Sequence, residues 1–369
     1  MANQKAFIKT PARGRRGLLI CGVAVIAILL LFAALVRHFS NPQYVEKRLI
    51  DEIGSGYLIN IASSRYNVLS QHYHAEGLTV VPDTLQRASS TRPRRRSSFS
   101  AAAVEVNGIN FLAMRKGQID FNEIVIDQPE IRLVIDRRVP NPKATTPRRM
   151  PHEVIRSSST RLCIDTIRVV DGDIRLSEIA VDGTRPGTFR FADLDATVAN
   201  LTNDAKGMKQ PCVIDVRTRL ADSGPLKARF VYDFSSDVTR MDYHAVIGKM
   251  DAVALNDLLV DLKGVRVKEG TIDSTWLDIK VDGDVAAGQM RFLYHGLKFE
   301  ILDKDSHEQG VGDHLATFMS SWDTHDSNPQ DDEPATVITL RRERAPQTSL
   351  MKFVWETVRE GILRTVGVQ

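Results

Sequence analysis

The stretch FNEIVIDQPEIRL, residues 121–133, aligns without a gap on IDTIRVVDGDIRL, residues 164–176, and this match decides the fold class. Both copies place apolar residues at positions one, four, six, eleven and thirteen. Positions four and six, and eleven and thirteen, are two apart, the period of a half-buried strand. The turn-forming pairs Gln128-Pro129 and Asp171-Gly172 divide the arms, so each copy is expected to be a strand, a tight reversal and a second strand with its side chains on the same face. A partial third copy, LKGVRVKEGTIDS from Leu262, keeps Val265, Val267 and Ile272 around Glu269-Gly270 but ends on Ser274. A hairpin cannot bury such a face alone, so consecutive hairpins must extend one sheet or close against another.

Outward from the repeat, the period stays at two. It is clear in LKARFVYDF (226–234), LDIKVD (277–282), MRFLY (290–294) and LKFEI (297–301), and it begins at YLINI (57–61). Little helix intervenes to carry the crossovers of a parallel sheet, and Asp282-Gly283 suits a hairpin. The reading is therefore a mostly β, antiparallel, curved module of repeated hairpins over 55–302. Ser/Arg- and Pro/Arg-rich stretches near 83–100 and 137–160 read as exposed loops, and 303–335 as an acidic loop. A last strand and an amphipathic helix fill 336–369, with Leu350, Val354, Val358, Gly361 and Ile362 on the apolar side. That helix is expected to cap the end of the sheet, whose terminal strand would otherwise expose unpaired backbone groups.

The N-terminal part has a different character. Residues 17–36, GLLICGVAVIAILLLFAALV, form an apolar run of about 20 residues, which at ~1.5 Å per residue spans the ~30 Å of bilayer hydrocarbon. The flank 1–16 carries Lys5, Lys9, Arg13, Arg15 and Arg16 and no acid, which favours a cytoplasmic N-terminus and a periplasmic module on a single-pass inner-membrane anchor. The run is longer than a signal-peptide core and lacks a small-x-small cleavage pattern. Residues 42–54 follow as a short amphipathic helix with Val45, Leu49 and Ile53 four apart. Of three cysteines, only Cys163 and Cys212 lie in the exported part, where both a disulfide and two thiols on separate strands are compatible with the sequence. The net charge of +3 demands no nucleic-acid partner.

Nothing in the chain carries the spacing of a nucleotide loop or a nucleophile elbow, so no cofactor and no catalytic residue are expected. His307, Glu308, Asp313, His314, Asp323, His325 and Asp326 are metal-ligand types, yet they lack zincin spacing in an acidic, Gly-interrupted segment that reads as a solvated loop. The run Arg92-Pro-Arg-Arg-Arg96 reads as a solvated charge run, with lipid head-group contact as the sharper alternative. Aromatic residues at strand spacing, such as Phe189 and Phe191, line a core or a groove.

Anchor, short helix, I-x-V-x(4)-I-x-L repeats and terminal helix come in an order that resembles AsmA-like proteins. The segments VEVNGINFLAMRKGQIDFNEIVIDQPEIRLVI from Val104, IDTIRVVDGDIRL from Ile164 and VREGILRTVGV from Val358 carry the resemblance. It implies a periplasmic, inner-membrane-anchored β-groove, related in design to bridge-like lipid transfer proteins, that supports outer-membrane lipid supply and envelope integrity. Groove-facing candidates from the regular strands are Ile124, Ile126, Ile131, Leu133, Ile167, Val169, Ile174, Leu176, Phe230, Tyr232, Ile279, Phe292 and Phe299, which are equally core residues if the sheet closes on itself. The expected partners are the membrane and a phospholipid or other envelope lipid, with envelope proteins possible. The rival reading is a non-enzymatic scaffold that holds partner proteins at the membrane. About 16 strands side by side at ~4.8 Å would make a groove of about 75 Å.

Overall fold

The computed structural model describes residues 57–67, 69–82, 94–140, 146–302, 326–330 and 333–367. The expected basic flank, span and short helix at 1–16, 17–36 and 42–54 lie outside them. Among the described residues no helix is long and apolar enough to cross a membrane. The chain order is β1 (Tyr57–Asn60), β2 (Ser63–Asn67), β3 (His72–Pro82), β4 (Arg95–Asn107), α1 (Phe111–Arg115), β5 (Ile119–Asp127), β6 (Glu130–Asp136), α2 (Pro151–Arg156) and β7 (Leu162–Ile179). Then follow β8 (Pro186–Thr202), β9 (Cys212–Leu220), β10 (Gly224–Tyr232), β11 (Arg240–Ile247), β12 (Met250–Asp251), α3 (Asn256–Lys263), β13 (Val265–Asp282), β14 (Val285–Ile301), β15 (Val337–Glu343) and α4 (Leu350–Thr365). All 15 strands belong to one sheet. Its path runs β1-β3-β4-β5-β7-β8-β9-β10-β11-β13-β14-β15, with β2, β6 and β12 beside it. Twelve strand positions at ~4.8 Å give a width of about 53 Å, shorter than the sequence suggested.

The repeat folds differently from the hairpins expected of it. β5 and β6 do not pair with each other; both lie between β4 and β7, end to end. They run parallel to β7, and each of their residues faces the one 43 places later: Phe121 faces Ile164, Ile131 faces Ile174 and Leu133 faces Leu176. The two sequence copies are thus neighbouring strands in register, and the sheet is mixed rather than antiparallel throughout. Among its described residues the crossover that makes this possible, residues 137–161, carries only the six-residue α2, which is why helix content did not betray it.

What looked like reversals are bulges. Gln128 and Asp171 occupy equivalent places and both take left-handed backbone, φ 45° and 53°. The ladder continues past them: the Gln128 N–H donates to the Val170 carbonyl at 2.8 Å and the Asp173 N–H to that of Pro129 at 2.8 Å. Across the line of bulges Gln128 Nε2 donates to Asp171 Oδ2 at 3.1 Å, and the Asp171 N–H to Asp195 Oδ1 at 3.2 Å. In the third copy β13 is likewise unbroken, with Gly270 at φ 130° and register shifts around it. An odd spacing such as Ile126 to Ile131 would turn side chains to the opposite face of a regular strand; the extra bulge residue restores the face and bends the strand. Asp282-Gly283, by contrast, does form a hairpin, joining β13 to β14 with Asp282 opposite Val285.

Two apolar clusters sit on the sheet. One gathers Tyr73, Val104, Val106, Ile124, Ile126, Ile164 and Ile167 around Ile109 and Met114 at α1. Val106 and Ile124 are 0% and 1% exposed, and Tyr66, Phe111 and Ile155 are among the described side chains packed against their cluster. The other extends from β9 to β15 and includes Phe353 and Leu350 of α4. Ser349 caps α4, its side chain accepting the Lys352 N–H at 3.3 Å. The helix buries Leu350, Phe353, Thr357, Gly361 and Thr365, so its inner face is centred one residue away from the expected stripe; Val354, Val358 and Ile362 are half-buried. Gly361 has a packing reason, since a Cβ there would stand 2.4 Å from Met290 Sδ. Arg342 of β15 holds Glu356 and Glu360 at 3.0 and 3.1 Å, and Arg364 Nη1 donates to the Thr339 carbonyl at 2.9 Å, covering part of the terminal strand.

Candidate functional site

Directly paired residues on neighbouring strands share a face, so register alone traces the apolar surface. One row runs Tyr73, Val106, Ile124, Ile167, Val198, Ile214, Phe230, Tyr243, Ile279, Gly288 and Leu340. The next runs Ala75, Val104, Ile126, Val169, Ala196, Val216, Ala228, Ala245, Leu277, Met290 and Ile338. Eleven strands contribute to each, with no charged residue in either. Beyond the line of bulges a third row adds Ile59, Val80, Phe99, Ile131, Ile174, Phe191 and Leu220.

Cover over these rows is uneven. Ile124, Ile126 and Ile167 are closed within the first cluster. Ile279, Phe292 and Tyr232 are closed within the second, Ile279 being 0% exposed. Ile131, Leu133, Val169, Ile174, Phe230 and Phe299 are half-buried, and Leu176 is exposed. The thirteen candidates therefore share one face but divide into core and partly open surface. The sequence reading passed over Val198, Ile214, Val216 and Phe99, which extend the partly open part. The alternation of IDVRTRL at 214–220 carried that signal. Phe189 and Phe191 belong to the same surface, their rings edge to face at 5.2 Å.

The crossover was expected to be an exposed loop, yet Met150 and His152 are buried. The Met150 N–H donates to Glu153 Oε2 at 2.6 Å, and His152 Nδ1 lies 3.4 Å from the Tyr232 hydroxyl. Arg156 Nη1 donates to Asp237 Oδ1 at 2.7 Å, and Asn203 Nδ2 to the Thr160 carbonyl at 2.8 Å. Residues 150–161 thus tie the end of β8 to the turn after β10. Burial lowers the His152 pKa, opposed mainly by Glu153, and burial pushes the Tyr232 phenol up to about 12.

Cys163 and Cys212 are free thiols on β7 and β9, with β8 between them; burial pushes the Cys212 thiol up to about 12. Among the described residues no group of three metal-ligand side chains is gathered, and the candidates from His307 to His325 lie outside them. Of the acidic loop, Asn328 is described and buried, its side chain donating to the Phe292 carbonyl at 2.6 Å. Of the basic stretch near 83–100, residues 95–100 are strand rather than loop. No family model matches this sequence, and no curated protein matches it.

Proposed function

We propose that this chain is a lipid-handling protein of the bacterial envelope, anchored in the inner membrane by residues 17–36 with its bulk in the periplasm, which shelters acyl chains on the partly open part of its apolar face. The AsmA-like pattern of the sequence belongs to the same reading, as does a role in lipid supply and envelope integrity. One observation carries it: the apolar rows continue through β7 to β11, at Val169, Val198, Ile214, Val216 and Phe230, where no described residue buries them fully. Sheltering one CH₂ yields ~0.8 kcal/mol, so a dozen methylenes would contribute roughly 10 kcal/mol before the costs of ordering the chain. Binding of this kind needs no catalytic group. A face about 53 Å across suits a local role at the inner membrane or work in series with partners.

Mass-spectrometric lipid analysis of the detergent-purified full chain tests the reading. Phospholipid or lipopolysaccharide should co-purify in defined proportion and fall in a Phe230→Asp variant that stays folded. A folded parent protein with no lipid beyond its annulus would leave the scaffold reading in its place.

A further inference from the structure

The two most exposed large apolar side chains among the described residues sit at the same end of the sheet. Leu69, 96% exposed, lies in the turn between β2 and β3, and Leu112, 73% exposed, lies on α1 between β4 and β5. The Ile109 N–H donates to the Gln71 carbonyl at 3.2 Å, and the rings of Tyr66 and Phe111 meet edge to face at 5.4 Å, so turn and helix form one tip. The tip is braced from below: Ile109, Ala113 and Met114 are buried, and Asn110 caps α1, its Oδ1 accepting the Ala113 N–H at 3.1 Å. A single exposed leucine on a surface asks for no explanation. Two together on a braced tip do.

Charge selects the partner. The acids of this region are already engaged: Asp120 Oδ2 accepts from Asn110 Nδ2 at 2.9 Å and lies 3.8 Å from Arg161 Nη1, and Asp204 Oδ1 accepts from Arg161 Nε at 3.0 Å. That bridge runs along the end of the sheet from α1 to the turn before β9, where Lys206 and Lys209 are exposed. Arg115 and Lys116, exposed at the end of α1, and Lys206 and Lys209 form no ion pair among the described residues. Farther along the same end, after β10 and β13, acids return with Asp233, Asp237, Asp282 and Asp284. The exposed leucines therefore lie in the basic part. Apolar tips flanked by Lys and Arg suit the interface of an anionic bilayer, where each basic side chain adds about fivefold to surface partition.

The expected anchor supplies such a bilayer within reach. Tyr57 lies opposite Pro82 at the far end of β3 from the tip, and the eleven residues of β3 span about 36 Å. The apolar run ends at Val36, and even with 42–54 helical, as the sequence suggests, the residues between it and Tyr57 reach about 43 Å. We infer that Leu69 and Leu112 dip into the head-group layer of the anchoring membrane while Arg115, Lys116, Lys206 and Lys209 hold its anionic phosphates. The inference rests on the anchored reading above and adds an orientation to it: the first strands of the apolar face stand tip-down on the inner membrane. It does not depend on acyl sheltering.

The test places the full chain in nanodiscs and reads depth by tryptophan emission. Leu69→Trp and, separately, Leu112→Trp add one indole each to Trp276, Trp322 and Trp355, whose emission the parent chain supplies for subtraction. In discs containing brominated phosphatidylglycerol most of the added emission should be lost, and in discs of brominated phosphatidylcholine alone much less. Arg115→Glu with Lys116→Glu should return the loss to the phosphatidylcholine level. Lys227→Glu with Lys280→Glu, the same change of charge on the wetted face, should leave it intact; all six positions are exposed, so folding should survive. Equal quenching in the two lipids would remove the basic residues from the contact and overturn the inference as stated. A chain that elutes with the disc yet shows no quenching at either position would overturn the tip alone and leave its leucines to a protein partner. A chain that does not enter the discs would strike the anchored reading, and the tip with it.

Discussion

Ile279 and Phe230 stand in the same row of the same face, two strands apart, and meet opposite fates. Ile279 is fully buried in the cluster that α4 completes. Phe230 stacks on Tyr243 at 6.1 Å but remains half-exposed. Sequence period, strand geometry and residue type are alike at the two places; what lies above them is not. An alternating strand therefore specifies a face, and only the elements that cross that face decide whether it is core or surface.

The largest effect should come from charging the two positions. Ile279→Asp places a carboxylate where no partner and no water can reach it and should cost on the order of 4 kcal/mol in urea unfolding. Phe230→Asp should cost about 2 kcal/mol or less, with its effect showing in lipid content instead. Equal destabilisation at the two sites would break the contrast and make the middle of the sheet ordinary core.

Lifting the cover is the second way to press the comparison. Gly361→Leu forces a side chain into Met290 and should lose about 2–3 kcal/mol, with Trp or Tyr fluorescence reporting a loosened second cluster. No change in stability would mean that α4 contributes little to the closure assigned to it.

A smaller effect separates the repeats. Gln128→Val places a β-branched residue at φ 45° and should cost about 1–2 kcal/mol, whereas Glu269→Val, in the third copy where Gly270 absorbs the turn of the backbone, should stay within about 0.5 kcal/mol. Matching costs would show that the bulge in the first copy is not strained.

The gentlest is a titration. His152 has a lowered pKa in the folded chain, so between its ordinary value of 6.5 and that lower value the unfolded chain binds the proton that the folded chain refuses. Stability should fall as pH drops below about 6.5 and level off below the folded pKa, and His152→Gln should flatten that part of the curve. Chemical denaturation across acidic pH measures it; an unchanged slope in the variant would assign the acid sensitivity elsewhere.

How far the sequence reached follows from spacing. The strands, the apolar face and the terminal helix were legible because alternation at 226–234 or 277–282 is a direct imprint of the pleat. The repeat was legible as a repeat, but its topology was not. The five-residue step from Ile126 to Ile131 has the same parity in a reversal and in a bulge, and Gln-Pro and Asp-Gly serve either. A shared 43-residue spacing is what two parallel neighbours would leave, yet a crossover whose described residues hold one short helix gives no helical period to confirm it.

The parallel pairing of the copies also sets a schedule. β6 finds β4 within a few dozen residues of chain, but its other edge stays open until β7 has been made. At roughly 5–20 residues per second, the 43-residue lag between Phe121 and Ile164 lasts about 2–9 s of synthesis. For that interval the nascent chain presents an apolar strand with unpaired backbone groups. A holding factor would be most useful to this molecule then, and slow codons would be least tolerable between residues 137 and 161.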